Sequence, residues 1–353
     1  MGDNMKKIGM ILIGLLLCIS CGKQEKMTEY KKFKEESYGN FDTITFFVGY
    51  AEKEKDFKEA SVLFRNHMQK LNNLFDIYNN YEGLANVKSI NDAAGIKPVK
   101  VEPELIELIE LSKTLYDKTG GKVNIAMGSV LKLWHAAREN GEADGNYILP
   151  KAQDLQEASK HCKIDDIIVD KEKSTVFLKD PEMSLDIGSV AKGFAVEKSA
   201  ELLEEKGIDS VIISAGGDVR TIGEPKETER NYWLVGIQNP DHPEDQSSLA
   251  AVLQIPKGMS VVTSGTYQRY FEKDGVRYHH LIDPKTLQPG NYFSSVSVIC
   301  KDNALGDFLS TALFLSTKEE GEKIAKEFDV EVFWIGLDGK MSMTEGVKTM
   351  IQK

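Results

Sequence analysis

A set of oxygen-bearing side chains near the carboxyl end of the sequence has the spacing of a metal site. Asp307, Ser310 and Thr311 precede the apolar run Ala312 to Leu315, and in a helix their separations of three and four residues place them on one face. One carboxylate and two hydroxyls are hard ligands that suit Mg2+ completed by water and phosphate oxygens, but not zinc or copper. Capping of a helix N-terminus is the commoner use of such residues and is the alternative interpretation.

A second segment, Leu185 to Phe194, could bind a phosphate group. Its acid, Asp186, ends a predicted strand, and the glycine-flanked residues that follow turn into a predicted helix. Such a junction presents backbone N–H groups and the positive end of the helix dipole to an anion, and Lys192 adds a formal charge. A purely structural turn from strand to helix explains this segment equally well.

Two consecutive glycines, Gly216 and Gly217, follow the apolar run Val211 to Ser214. Paired glycines permit positive φ and the close approach of a ligand or of another backbone segment. A tight hairpin is the preferred interpretation of this segment alone. On that interpretation, Asp218 and Arg220 form an ion pair at the surface.

His279 and His280 are the candidates for a general base. They lie in the segment Tyr278 to Thr286, which is rich in side chains that donate, accept or transfer protons, as is Thr263 to Tyr267. Adjacent residues of a strand point to opposite faces, so only one histidine can face a given site and the other is expected to be structural. Imidazole titrates near neutrality, as a base for a hydroxyl nucleophile should.

The elements that must hold these residues mix strands and helices along the chain. Alternation predicts a strand in Phe41 to Phe47, helical spacing predicts a helix from Asp56 to Phe75, and Pro103 opens another helix. After residue 162 the pattern predicts a hairpin at 170–173, a strand-to-helix junction over 184–206, strands at 211–214, 233–237, 250–255, 277–282 and 295–300, helices at 304–315 and 318–328, and a hairpin at 338–339. This order is neither a series of βαβ units nor all-β, so we predict an α+β fold with mixed or antiparallel sheets and flanking helices.

The first residues are typical of an export signal. Two lysines precede the apolar run Ile8 to Leu17, and Ser20 provides a small residue before Cys21. The apolar run is far shorter than the ~20 residues of a spanning helix. The segment ending in Cys21 resembles a lipobox, although Cys18 stands where leucine is usual, and a secreted protein without lipid is the alternative.

These features divide the chain. We predict a signal peptide over residues 1–20, a lipid anchor on Cys21, a polar tether over 21–37 and one domain over 38–350. The protein would therefore be extracytoplasmic and held at the surface of a bacterial cell membrane by acyl chains.

Composition excludes several other classes. A net charge of −11 without a basic stripe argues against nucleic acid as a partner. Beyond the signal region only Cys162 and Cys300 remain, so neither a disulfide framework nor a zinc site is predicted. Cys300 ends an apolar run and is expected in the core.

The polar motifs occur in an order that resembles the ApbE family of FAD:protein FMN transferases. The matching segments read DIGSVAKGFA, SAGGDVR, TSGTY, YHHLIDPKT and DFLSTAL, and the resemblance covers roughly residues 40–345. It implies an ApbE-like, T-fold-like domain that takes FAD as substrate and Mg2+ as cofactor.

The resemblance also implies site residues. It implies flavin contacts by eight residues, which are Phe41, Tyr78, Lys122, Val123, Asn124, Asp186, Lys192 and Leu281. It implies magnesium ligands at four, which are Ser189 through its backbone carbonyl, Asp307, Ser310 and Thr311. Two positions depart from the family pattern. Asn124 replaces an aspartate, so a charged contact becomes neutral, and Leu287 stands where the family has the glycine of Gly-x-Pro.

In the reaction that the resemblance implies, a threonine or serine hydroxyl of an acceptor protein attacks the FMN-side phosphorus of FAD, and AMP leaves. Mg2+ on the Asp307 face would neutralise developing charge, Lys192 would help to hold the diphosphate, and His280, or else His279, would take the hydroxyl proton. Acceptors in this family are typically extracytoplasmic parts of respiratory membrane complexes. Attack by water would instead make the chain an FAD pyrophosphatase, and a lipoprotein that only binds flavin is the alternative outside enzymes.

Overall fold

The structure, a computed structural model, describes residues 29–226, 230–245 and 247–352. The predicted signal peptide, Cys21 and the first part of the predicted tether lie outside these residues. Within the described ranges, no helix is both long enough and apolar enough to cross a membrane.

The described residues form fifteen strands and nine α-helices. The strands are β1 (Lys31–Tyr38), β2 (Ile44–Ala51), β3 (Val99–Lys100), β4 (Ile167–Asp170), β5 (Thr175–Leu178), β6 (Ser210–Ala215), β7 (Asp218–Gly223), β8 (Tyr232–Gln238), β9 (Leu249–Pro256), β10 (Ser260–Gly265), β11 (Tyr270–Lys273), β12 (Val276–His279), β13 (Phe293–Cys300), β14 (Glu331–Gly336) and β15 (Met341–Met343). The helices are α1 (Glu54–Phe75), α2 (Val87–Asp92), α3 (Pro103–Lys118), α4 (Gly128–Asp144), α5 (Ala152–Ser159), α6 (Ala191–Glu205), α7 (Asn303–Phe314), α8 (Lys318–Glu327) and α9 (Glu345–Met350).

One large antiparallel sheet organises the fold. Its eight strands lie in the order β1-β2-β6-β7-β10-β13-β14-β15. In the part of the chain that is described, three small antiparallel sheets, β3-β5-β4, β8-β9 and β11-β12, accompany it. This arrangement confirms the predicted α+β class.

The two faces of the large sheet carry different layers because side chains alternate along each strand. On β13, Val298 packs with Leu309 of α7, whereas its neighbour Ile299 packs with Leu253 of β9. Helices α1, α6 and α7 therefore lie over one face, and the ribbon β8-β9 covers the other. The polar residues of interest lie on the helical side.

Strand β1 shows that the predicted boundary between tether and domain is too late. Lys31 to Tyr38 pair with β2 along their whole length, and the Phe33 ring stacks on Phe57 of α1 at a centroid distance of 5.3 Å. The charged residues of this segment alternate with half-buried ones, as suits an edge strand. Residues 31–37 therefore belong to the folded domain.

The glycine pair forms the predicted hairpin, which joins β6 to β7. Gly216 and Gly217 have φ of 53° and 96° between the paired residues Ala215 and Asp218, as a two-residue hairpin turn with two left-handed positions requires. The expected surface ion pair between Asp218 and Arg220 is wrong. Strand β7 is interior to the sheet, so both side chains are buried, and each pairs with an α6 residue instead.

Two elements next to the site are shorter than predicted. The expected strand at 184–187 is irregular and makes only one bridge, from Ser184 to Met127. Strand β12 ends at His279, so His280 lies in the bend that follows.

Helix α3 begins at Pro103, as its capping signals predict.

Candidate active site

Polar residues from four elements meet where α6 and α7 lie against β7 and β10. Lys192 contacts two carboxylates, and two hydroxyls on the next turn of α7 adjoin a third hydroxyl on β10. The set consists of Lys192, Asp218, Ser264, Asp307, Ser310 and Thr311. We refer to these six residues as the α7 cluster.

Asp307 is positioned by the close approach of α6 to α7. Its Oδ2 accepts a hydrogen bond from the Gly193 amide at 2.7 Å, and its Oδ1 lies 3.9 Å from Lys192 Nζ. A Cβ atom at position 193 would lie 2.4 Å from Asp307 Cβ and 2.5 Å from the Asn303 carbonyl oxygen. Only glycine therefore permits this approach.

The hydrogen bond from Gly193 also caps helix α6. Gly193 is the third residue of α6, and the first four N–H groups of a helix have no acceptor inside it. Asp307 supplies the acceptor for Gly193. Ser189, the fourth predicted metal ligand, lies two residues before α6, and its role stays a prediction.

The three hydroxyls of the α7 cluster form a chain with a definite direction. Ser310 Oγ donates to the Asp307 carbonyl at 3.0 Å, so Ser264 Oγ must donate to Ser310 over 2.8 Å. Thr311 Oγ1, 3.2 Å from Ser264 Oγ, then donates to it. This direction leaves lone pairs of the Thr311 oxygen free, whereas the fully buried Ser310 is committed to its neighbours.

The charges of the α7 cluster are not balanced. Burial alone would lower the pKa of Lys192, but the attraction of Asp218 and Asp307 outweighs it and raises this pKa. Burial raises the pKa of Asp218, and so does the neighbouring Asp307 carboxylate; burial likewise raises the pKa of Asp307. Two carboxylates therefore share one lysine in a buried site.

A divalent cation fits this arrangement. Asp218 Oδ2 is buried and has no hydrogen-bond partner among the described residues, and such an atom is costly to bury without compensation. The α7 cluster offers the carboxylates of Asp218 and Asp307 and the hydroxyl of Thr311, which are the hard oxygens that Mg2+ prefers. No group of three or more His, Cys, Asp or Glu side chains is placed to hold a metal in the described part of the chain.

The two histidines differ in the way that opposite orientations predict. His279 is buried: its Nε2 donates to the Gly290 carbonyl at 2.7 Å, and its Nδ1 accepts from the Leu281 amide at 3.3 Å. Both nitrogens are thus used, and burial lowers the pKa of His279 to about 4. His279 is therefore a structural residue.

His280 keeps one nitrogen for chemistry. Its Nδ1 lies 3.2 Å from the Arg269 carbonyl oxygen, which can only accept, so the proton is on Nδ1 and Nε2 carries a free lone pair. Burial and then the charge of Arg269 lower the pKa of His280 to about 3. The imidazole is therefore neutral at ordinary pH, with Nε2 unprotonated.

Phe41 lies in a strained turn between β1 and β2. It has φ 54° and ψ 27°, and the next residue, Asp42, has φ 53°. The Phe41 amide donates to Asn72 Oδ1 at 2.7 Å, and its carbonyl accepts from Arg269 Nη2 at 3.0 Å. The turn is thus tied to α1 on one side and to the segment before β11 on the other.

Tyr78 and Asp186 meet through a histidine of α4. The Tyr78 hydroxyl lies 3.2 Å from His135 Nδ1, and Asp186 Oδ2 lies 3.8 Å from His135 Nε2. Burial of the hydroxyl and the Asp186 charge raise the pKa of Tyr78 to about 12, although 55% of the residue is exposed. These three residues thus form one aromatic and acidic group.

Four predicted flavin contacts have other duties in the structure. Val123 and Leu281 are buried in the core. Lys122 Nζ pairs with Glu320 at 3.0 Å. Asn124 donates to the Cys162 carbonyl at 2.8 Å and accepts from the Ala126 amide at 2.9 Å.

The bonds of Asn124 explain its departure from the family pattern. An aspartate at this position could not donate to the Cys162 carbonyl. Asparagine therefore joins two chain segments here by using both ends of its amide.

Sequence reasoning missed His135, Ser264 and Arg269 as site residues. Ser264 lies in the TSGTY motif and Arg269 stands four residues after Gly265, so a wider reading of that motif could have found both. His135 follows Trp134 on an amphipathic helix without a motif of its own. Its contact with Asp186 joins residues distant in the chain, and no local pattern predicts that.

Known proteins resemble this chain in sequence and in fold. The sequence model of the ApbE family matches residues 41–334. A protein of Treponema pallidum named FAD:protein FMN transferase is 30% identical over 95% of this chain and 93% of its own length. One of Klebsiella pneumoniae with the same name is 34% identical over 70% of this chain and 76% of its own length.

Two solved structures share the fold. The crystal structure of the ApbE protein of Thermotoga maritima superposes with a TM-score of 0.78 at 25% identity and covers 92% of this chain and 100% of that one. The flavin transferase ApbE of Vibrio cholerae gives a TM-score of 0.75 at 22% identity over 91% of this chain and 100% of that one. Because the family model matches most of the chain and a relative is 30% identical over 95% of it, the chain belongs to the ApbE family.

Proposed function

We propose that this protein transfers FMN from FAD to a threonine or serine hydroxyl of an acceptor protein, in a Mg2+-dependent reaction that releases AMP. The observation that carries the proposal is the combination of an oxygen-rich, negatively charged cluster at Asp307 with a neutral His280 whose Nε2 is free. The curated relatives named FAD:protein FMN transferase support the same activity.

Residues of the α7 cluster would bind the metal ion and the diphosphate. Asp307, Thr311 and the Ser189 carbonyl would hold Mg2+, with Ser310 supporting Thr311 through Ser264. The bound ion supplies positive charge for the diphosphate oxygens. Lys192, which contacts both carboxylates, would offset part of their negative charge and help to hold the diphosphate.

The chemistry at phosphorus balances without any other reactant. The acceptor Oγ forms a bond to the FMN-side phosphorus, and the bond from that phosphorus to the bridging oxygen breaks, so that this oxygen leaves with AMP. His280 Nε2 accepts the hydroxyl proton, because Nδ1 is already protonated and bound to the Arg269 carbonyl. Tyr78, His135 and Asp186 would line the flavin side.

The test is intact-mass analysis of a threonine-bearing acceptor domain after incubation with FAD, Mg2+ and the enzyme. A mass gain equal to FMN, together with AMP in solution, is the expected result. Free FMN without modified acceptor would identify an FAD pyrophosphatase. Retention of unchanged FAD would identify a flavin-binding protein.

A matched pair of variants tests the metal. Asp307→Asn keeps an acceptor for the Gly193 amide but removes the charge, so we expect at least a hundredfold loss of activity and of Mg2+ affinity. Asp302→Asn removes a carboxylate from the same helix and keeps an effective N-cap, so it should retain both. Full activity of Asp307→Asn would refute the magnesium proposal.

We also propose that the protein is exported and held at the membrane surface by lipid on Cys21. The motif at residues 1–21 supports this. The acceptor would then be an extracytoplasmic part of a respiratory membrane complex. Labelling with a palmitate analogue should mark the wild-type protein and leave Cys21→Ser unlabelled, and equal labelling of the two would exclude this anchor.

A further inference from the structure

Arg269 connects two parts of the candidate site that are far apart in the chain. Its guanidinium donates from Nη2 to the Phe41 carbonyl at 3.0 Å. Its own carbonyl oxygen accepts from the His280 amide at 3.1 Å and from His280 Nδ1 at 3.2 Å. One residue thus touches both the strained turn and the candidate base.

The Phe41 turn needs contacts of this kind. A left-handed conformation costs a residue with a side chain about 1–2 kcal/mol, and here two such residues, Phe41 and Asp42, are consecutive. Hydrogen bonds to Asn72 and Arg269 hold the two ends of the Phe41 backbone, and each contributes about 1 kcal/mol. Strain that is held in this way at a site is a sign of preorganisation.

The charge of Arg269 also reaches the rest of the site. Its positive charge acts on the pKa values of Tyr78, Lys192, His280 and Asp307. Glu272, the acid of the neighbouring β11-β12 hairpin, forms its ion pair with Arg277. The side chain is therefore directed toward the site and away from the surface ion pairs of its own hairpin.

We propose that Arg269 is a positioning residue that locks the Phe41 turn to His280, so that the flavin-side wall and the proton acceptor keep a fixed separation. This inference rests on the proposed function, because it takes Phe41 as a flavin contact and His280 as the base. A single hydrogen bond from the side chain suffices for the role. A lysine at this position could therefore replace arginine in part, and a methionine could not.

The kinetic test compares Arg269→Met, Arg269→Lys and the control Arg277→Met, in which an exposed arginine of the same hairpin is lost. With FAD, Mg2+ and an acceptor domain, Arg269→Met should lower kcat about tenfold or more, which corresponds to about 1.4 kcal/mol. Arg269→Lys should recover to within about threefold of wild type, and Arg277→Met should equal it. A wild-type kcat in Arg269→Met would overturn the proposal.

The lysine variant also separates positioning from substrate binding. If Arg269 served as a bidentate ligand of the diphosphate, lysine would not restore that geometry. Arg269→Lys as impaired as Arg269→Met would therefore overturn the positioning role. The double variant Arg269→Met with Asn72→Ala should lower kcat by less than the product of the two single fold-losses, since either change releases the same turn.

A second measurement does not depend on activity. Nitrogen-15 NMR of the histidine side chains in the free protein should show His280 with its proton on Nδ1 in the wild type and in Arg277→Met. In Arg269→Met the backbone carbonyl at position 269 should be held less firmly, so His280 should populate both tautomers. An unchanged His280 tautomer in Arg269→Met would overturn the proposal. Failure of FMN transfer by the wild type would overturn only the proposed function.

Discussion

At the scale of single residues, the candidate base owes its properties to its backbone neighbours. The carbonyl of Arg269 fixes the His280 proton on Nδ1, while burial and the Arg269 charge oppose a second proton. An ordinary histidine would be mostly protonated below its usual pKa of about 6.5. His280 should instead remain a competent acceptor in mildly acidic solution.

This difference predicts the pH dependence of the reaction. Burial raises the pKa values of Asp218 and Asp307, but the charge of Mg2+ at saturation would oppose their protonation. Because the pKa of His280 is lowered to about 3, the acid limb of kcat/KM for FAD should then lie well below 6.5, and activity should change little between pH 7 and 5.5. The measurement is FMN transfer at saturating Mg2+ over pH 5 to 8. A midpoint near 6.5 would contradict the assigned environment of His280.

Stability sets the lower limit of that experiment. The pKa values of His279 and His280 are both lowered on folding, so below pH 6.5 the unfolded chain binds protons that the folded chain does not. Their contribution to stability is present above pH 6.5 and is lost as the pH falls toward 4. Circular dichroism at each pH should therefore accompany the assay.

Residue types in the motifs made Asp307, Lys192 and the histidine pair candidates, while helix capping and a structural turn remained open for the first two. The resemblance to the family assigned their roles. Arg269 was not selected, since its proposed role depends on a hydrogen bond to Phe41, which lies 228 residues earlier in the chain. The role of Asp218 was missed for a different reason. The sequence does not say that β7 lies inside the sheet, and only that position buries the carboxylate.

At the scale of elements, the approach of α6 to α7 creates the site. Gly193→Ala should drive the helices apart, because its Cβ would lie 2.4 Å from Asp307 Cβ. We expect a loss of about 1–3 kcal/mol in the free energy of unfolding and a larger proportional loss of transfer activity. Urea denaturation and the mass assay measure the two effects.

Gly321→Ala on α8 provides the matched control. The nearest atom to its new Cβ would be 3.4 Å away, and alanine is favoured over glycine inside a helix by up to about 1 kcal/mol. This variant should be as stable as wild type or more so, with full activity. If Gly193→Ala behaved in the same way, the close approach of the helices would not govern the site.

The turn after His280 shows how a family glycine can be replaced. Leu287 has φ 61°, its amide donates to the Asp283 carbonyl at 2.8 Å, and its own carbonyl accepts from Trp134 Nε1 at 3.1 Å. The left-handed turn expected of glycine is therefore present, although leucine occupies it at a cost of about 1–2 kcal/mol.

This strain predicts an unusual order of stability. In urea denaturation, the free energy of unfolding of Leu287→Gly should exceed that of Leu287→Ala by about 1 kcal/mol. Both variants lose the leucine packing, but only glycine relieves the backbone strain. At Leu111, a half-buried leucine inside α3, the order should be reversed. Equal stabilities of the two Leu287 variants would show that the turn is unstrained.

Elements with strong local signals were predicted well, including α1, α3 and the hairpin at Gly216. The irregular segment at 184–187 was not, because Leu185 is held by Asn91, whose side chain bonds both its amide and its carbonyl. The Asn91 side chain of α2 thus takes the place of the neighbouring strand that the predicted strand at 184–187 would need. Sequence periodicity does not register such a replacement.

At the scale of the whole molecule, the large sheet separates function from support. One face holds α6 and α7 with the candidate site, and the ribbon β8-β9 covers the opposite face. The net charge of −11 does not exclude an anionic substrate, since the positive charges of Lys192 and Arg269 both act at Asp307. An anionic substrate would therefore meet local positive charge on a negative protein.

The edge of this sheet decides where the domain begins. The charged composition of residues 31–37 indicated a tether, yet the alternation around Phe33 is that of a strand paired on one side. Glu35 further accepts a hydrogen bond from Ser61 of α1 at 2.5 Å. These contacts make β1 part of the structure that supports α1 and, through Asn72, the Phe41 turn.

Two truncated proteins test this boundary. A chain beginning at residue 29 should serve as the stable reference, whereas one beginning at residue 39 loses β1, the Phe33 packing and the partner of β2. We expect the shorter chain to lose about 2–4 kcal/mol in the free energy of unfolding and to associate through its newly exposed β2 edge. Urea denaturation and light scattering measure these effects. Equal stability of the two chains would return residues 31–37 to the tether.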